Sequence, residues 1–197
     1  MKVISQNLIL VGSFNTALIT PAWLDSEDIY KIAEIEVQID INSQALRYIL
    51  NTLKVSFEIQ LNKFIVTRID PTDQKLEKKH LSFVYQIFEK LKYTPISAIG
   101  YNIELELDLK EHSQPYKILN DLSLIRNDKI IQSNFMNQYK LDDKTLTVIY
   151  KKKENKYTCQ VNIQKLNPAR KNILKEISGF TNNINDLYKE GMKYVSE

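Results

Sequence analysis

The chain has 197 residues, enough for a sizeable core in one domain, and its 43% hydrophobic and 26% charged content is globular rather than disordered. A formal net charge of +3 implies no polyanionic partner unless the lysines cluster, four glycines argue against Gly-rich phosphate loops, and one cysteine, Cys159, excludes an internal disulfide framework. That lone thiol fits a reducing compartment, the apolar run Leu8–Val11 is too short for a signal-peptide core, and nothing is long and apolar enough to span a bilayer as a helix, so the expected location is cytoplasmic.

In chain order, residues 3–11 read as a buried strand ending at Gly12, and Pro21-Ala22-Trp23-Leu24 as one helical turn or a packed loop with Trp23 as its apolar anchor. Residues 34–41 alternate, with Ile35, Val37, Ile39 and Ile41 opposite Glu34, Glu36, Gln38 and Asp40, as a strand with one wet face does. Ser43–Leu53 fits either a helical face, through Leu46, Ile49, Leu50 and Leu53, or an extended segment. A hairpin follows: Val55, Phe57, Ile59 and Leu61 share a face, the chain turns near Asn62-Lys63, and Phe64–Ile69 returns. Asp70-Pro71 then reads as a helix start, because an Asx side chain accepts free first-turn N–H groups and proline at N1 needs no N–H partner. The helix runs to about Lys92 and sets Leu76, His80, Val84, Ile87, Phe88 and Leu91 on one stripe.

After Thr94-Pro95 a long strand places Ile103, Leu105, Leu107 and Leu109 opposite Glu104, Glu106 and Asp108. Residues 110–144 are polar and broken, an irregular excursion from the sheet where a functional loop would lie. The pattern of the first half then recurs. A hairpin sets Leu146, Val148 and Tyr150 against Tyr157, Cys159, Val161 and Ile163 around a turn at Lys153-Glu154-Asn155, and Asn167-Pro168 opens a second helix. That helix carries Ile173, Ile177, Phe180, Ile184, Leu187 and Tyr194 at heptad-like steps, a seam that Leu174, Tyr188 and Val195 widen into a stripe suited to packing on the chain's own sheet.

The expected fold is α+β: one domain over 1–197, with an antiparallel or mixed sheet of about seven strands and two amphipathic helices packed on it. Two hairpin-(Asx-Pro)-helix units, 54–92 and 145–196, form a pseudo-repeat, with strands and loop in 1–53 and the excursion at 110–144.

No catalytic residue, metal ligand set or cofactor site is assigned. The acidic stripes Glu34/Glu36/Asp40 and Glu104/Glu106/Asp108 put carboxylates about 7 Å apart on one face, but parallel side chains on a flat strand splay where a cation needs convergence. His80 lies on an apolar stripe, His112 has no visible partner, and two histidines with one cysteine make no zinc signature. Cys159 falls on a buried face, where a thiol is inert, and no G-x-S-x-G, G-x-G-x-x-G or Walker loop is present.

Two features can reach a partner. The hairpin tip Lys151, Lys152, Lys153 and Lys156, flanked by Tyr150 and Tyr157, has the cations and rings to grip phosphates and stack a base. The C-terminal seam Ile173, Ile177, Phe180, Ile184, Leu187 and Tyr194, and the sheet edges, can pair chains. The leading expectation is a non-catalytic cytoplasmic protein-binding or assembly module, adaptor- or chaperone-like, that forms a homodimer or small oligomer or binds another protein, without membrane contact. The alternatives are nucleic-acid binding through the Lys-rich hairpin and an enzyme whose site converges only on folding.

Overall fold

The structure, a computed structural model, describes residues 2–40, 45–70, 77–107, 117, 132–153, 156–168, 174, 175 and 177, with side chains at all of these but 40, 77–81, 132 and 133. Among the described residues nine strands form one sheet: β1 (Lys2–Gly12), β2 (Ile35–Asp40), β3 (Ala45–Leu50), β4 (Val55–Ile59), β5 (Lys63–Arg68), β6 (Ile96–Leu107), β7 (Gln132–Leu141), β8 (Lys144–Lys153) and β9 (Lys156–Leu166). Their order is β2-β3-β4-β5-β1-β6-β9-β8-β7, and every neighbouring pair is antiparallel.

The α+β class holds in this coarse form, but the sheet has nine strands rather than seven. Both additions fell where apolar spacing misleads. Leu46, Ile49 and Leu50 repeat like a helix, yet β3 pairs along its whole length with β2 and β4. The apolar residues of β7 are interrupted by Asn137, because one of its sides carries only a half-buried row of Phe135, Tyr139 and Leu141. The supposed excursion therefore ends in a ten-residue edge strand.

The long strands β1 and β6 lie side by side at the centre, with Asn7 opposite Asn102. Each also pairs with the last strand of the meander that follows it, β1 with β5 and β6 with β9. Gly12 ends β1 close against Pro95: a Cβ there would sit 2.2 Å from the Pro95 carbonyl oxygen.

One face of the sheet holds the core. Its rows run through Tyr48, Phe57, Val66, Leu8, Tyr101, Ile163 and Leu146 across the strands, all buried. Helix α2 (Glu77–Lys90) lies over the β4–β5 half, burying Phe83, Val84, Ile87 and Phe88. Phe83 packs against Phe57 at 5.4 Å between ring centroids, and Phe88 stands edge-on to Phe64 at 5.3 Å. Phe83 was not on the stripe expected from sequence; it widens that stripe towards the aromatic rings of the sheet. Helical residues Leu174 and Ile177 join the same core, and Ile177 is fully buried.

Helix α1 (Pro21–Ser26) begins as its sequence requires, with the Trp23 backbone N–H donating to Thr20 Oγ1 at 3.2 Å and proline in the first turn. A salt bridge from Lys90 to Glu27, 3.0 Å, ties it to the end of α2. The Asp70-Pro71 helix start lies outside the described residues. Asn167 has a φ of 49°, left-handed rather than the extended backbone usual at an N-cap, and its N–H donates to the Ser97 carbonyl at 2.7 Å, so it turns the chain out of β9; the helix start expected after it lies outside the described residues.

The other sheet face is polar at its centre. Asn102 donates to Asn7 Oδ1 at 2.7 Å and accepts from Asn162 Nδ2, so three carboxamides form a ladder across β1, β6 and β9. Thr67, Ser56, Thr147 and Gln138 extend the same row.

Candidate functional site

An alternating strand exposes one face to water when it is antiparallel and half-covered, and exposes both its outer face and one row of backbone groups when it is also an edge. Among the described residues β2 is such a strand: it pairs with β3 on one side and is the last in the sheet order. Ile35, Val37 and Ile39 lie on the core side, opposite Leu50, Tyr48 and Leu46. Tyr48 is buried, but one strand further out Val37 is 48% exposed and Ile39 69%. The cause is the position of α2, whose rings reach Phe57 on β4 and Phe64 on β5, about two strand spacings of 4.8 Å short of β2.

The near end of β2 is anchored. Tyr30 Oη hydrogen-bonds Thr52 Oγ1, Thr52 Oγ1 donates to Glu34 Oε2 at 3.2 Å, and the Ile32 N–H donates to Asp25 Oδ1 at 3.3 Å. On the outer face Gln38 Nε2 donates to Glu36 Oε1 at 3.0 Å. The result is a held strand with a half-uncovered apolar row, an aligned backbone edge and polar groups on its other face.

The opposite edge, β7, is different. Its core-side residues Phe135 and Tyr139 pack into the core, Phe135 stacking on Tyr150 with centroids 6.2 Å apart. Met136 is its exposed large apolar residue, on the outer face.

The Lys-rich hairpin separates into two faces. Lys151, Lys153 and Lys156 stand on the polar side of the sheet, where Lys151 Nζ donates to Gln160 Oε1 at 3.0 Å, and Lys153 pairs across the strands with Lys156. Lys152 lies on the core side over the half-buried Tyr157 ring, 5.9 Å from its centroid. Tyr150 is only 2% exposed, and burial pushes its hydroxyl above the ordinary phenol range. Its ring belongs to the core and is closed to base stacking. The tip is thus a charged end with one reachable ring, not the aromatic-flanked clamp expected from sequence.

Of the proposed C-terminal seam, Ile177 packs into the chain's own core. Ile173, Phe180, Ile184, Leu187 and Tyr194 lie outside the described residues, as do His112 and the side chain of His80. Among the described residues no three His, Cys, Asp or Glu side chains gather as metal ligands would. Cys159 is fully buried in β9, and burial pushes its thiol up to about 12. A shallow, open recess of about 300 Å³ lies between the loop after β1 and the end of α2, lined by Phe14, Leu18, Ile19, Leu91, Tyr93 and Pro95. Lys90 borders it but is engaged by Glu27.

No known family model matches the chain, and no curated protein matches it. Among the described residues no helix is long and apolar enough to cross a membrane. The strand pattern of 34–41 was visible in sequence; that this strand is an edge was not, because side-chain alternation reports faces and carries no information about neighbours.

Proposed function

We propose that this protein is a non-catalytic cytoplasmic binding or assembly module that takes its partner on the edge of β2 left open among the described residues, by addition of an extended segment. The observation that carries the reading is the exposure of Val37 and Ile39, 48% and 69%, on the apolar row of a sheet edge. An uncovered strand offers main-chain hydrogen bonds for affinity and alternate side chains for specificity, the mode of β-strand addition. β7 supports it less, since its apolar row is already packed.

The test is light scattering and co-purification of the full chain from the cells that make it, beside a Val37→Lys/Ile39→Lys variant. Lysines on an edge strand are compatible with the fold. The wild type should travel in an assembly larger than one chain, and the variant should lose that assembly while keeping its circular dichroism. A wild type that travels alone, or a variant that keeps the assembly, refutes the reading.

A further inference from the structure

We propose that the segment received by β2 is β2 of a second copy, added antiparallel about a two-fold axis through Val37, so that two nine-stranded sheets become one. This deepens the edge reading above and rests on it.

Strand β2 is complementary to itself. A two-fold axis perpendicular to the sheet keeps each face on its own side, so core-side residues must meet core-side residues and outer residues outer ones. Ile35, Val37 and Ile39 therefore face the same three residues of the partner, and only the register remains to be chosen. Centring on Val37 sets Val37 against the partner's Val37, Ile35 against the partner's Ile39, and Glu36 against the partner's Gln38. Every apolar residue of the strand then gains an apolar neighbour. The carboxylate of Glu36 meets a carboxamide, the same chemistry that Glu36 and Gln38 already share within the strand.

The neighbouring registers fail on charge or cover. Centring on Gln38 places Glu36 directly opposite the partner's Asp40, twice over by symmetry, and like charges opposite one another destabilise a pair. Centring on Glu36 sets it against itself and moves Ile39 opposite the partner's Ala33. The Val37-centred register does bring Asp40 opposite the partner's Glu34. That contact falls where the strand has ended: Glu34 belongs to the 3-10 turn Ile32–Glu34 and its carboxylate accepts from Thr52. The exposed apolar row and the charge pattern thus select the same partner and the same register.

The experiment combines sedimentation of the recombinant full chain with register-specific disulfides. Cα atoms directly opposite in an antiparallel pair stand about 4.5–5.5 Å apart, within disulfide reach. Val37→Cys should form a covalent dimer under mild oxidation. Ile35→Cys and Ile39→Cys should each fail alone and cross-link when mixed, one of them size-tagged. Native Cys159, fully buried, does not compete, and Met136→Cys on the other edge reports random collision. A chain that sediments as a monomer up to hundreds of micromolar overturns the proposal, as does cross-linking of Ile39→Cys alone at the rate of Val37→Cys. If the recombinant chain is monomeric but the protein from its own cells carries a stoichiometric second protein that Val37→Lys/Ile39→Lys releases, self-pairing falls and the edge reading stands. If neither association occurs, both fall.

Discussion

Replacing Gly12 by alanine tests the tight junction of β1 and β6. The added methyl would sit 2.2 Å from the Pro95 carbonyl oxygen and 3.2 Å from both Pro95 C and Ile96 Cα, all backbone atoms that no rotamer change can move. Nor can the strand end slide away cheaply. The Gly12 N–H donates to Asn62 O at 3.1 Å, the Ser13 N–H to Pro95 O at 3.0 Å and the Phe14 N–H to Leu61 O at 2.9 Å, so the segment is held from two sides. Overpacking of this kind costs about 1–3 kcal/mol, and loosening one or two of these hydrogen bonds adds about 1 kcal/mol. The expected loss is about 2–4 kcal/mol, a fall in melting temperature of roughly 5–15 °C for a chain of this length. Gly100→Ala is the control. Its methyl would meet Asn162 Nδ2 at 3.9 Å and Ile9 O at 4.0 Å, ordinary contacts, and it should change stability by less than about 0.5 kcal/mol. Thermal unfolding followed by circular dichroism, at one protein concentration so that association does not enter, reads both. Equal melting temperatures for the two variants would refute the reasoning.

Cys159 predicts a pH dependence. Its thiol is pushed up to about 12 in the folded chain from an ordinary 9.0. Below pH 9 both states hold the proton and the full stability is present; as pH rises further the unfolded chain releases a proton that the folded chain keeps, and stability falls. The loss is on the order of 1 kcal/mol at pH 10, and denaturant midpoints of Cys159→Ala should lack this component; parallel wild-type and variant curves from pH 7 to 10 would contradict it. In the carboxamide ladder, Asn102→Ala should cost about 1–2 kcal/mol by stranding Asn7 and Asn162, and adding Asn162→Ala should cost less than its separate effect, read as a double-mutant cycle; strict additivity would show the ladder to be uncoupled. Replacing Lys151, Lys152 and Lys153 with glutamate should leave the oligomeric state unchanged. Retention of single- or double-stranded oligonucleotides at low salt, falling steeply with salt and abolished in that variant, would instead place the function on the hairpin.

The local pattern of the sequence determined much of this protein. Strict alternation around Ile35–Ile39, Val55–Ile59, Ile103–Leu107, Leu146–Tyr150 and Cys159–Ile163 identified strands, and in all but the first of them the covered face, because a period of two is a property of each strand alone. The stripe Val84, Ile87 and Phe88 identified the buried side of α2 for the same reason at a period of 3.6. It failed where neighbours decide the conformation. β3 is a strand because β2 and β4 flank it, and β7 tolerates Asn137 because an edge needs only half a covered row. Tyr150 and Tyr157 flank the same hairpin in sequence, yet the first is enclosed in the core against Phe135 and the second half-exposed beside Lys152. The candidate site depends on the same distinction. Val37 and Ile39 would read identically on an interior strand, and only the order β2-β3-β4-β5-β1-β6-β9-β8-β7, with α2 stopping over β4 and β5, leaves them facing water. Strand order is set by the sum of distant pairings and by the reach of the covering helices, and no single segment contains it.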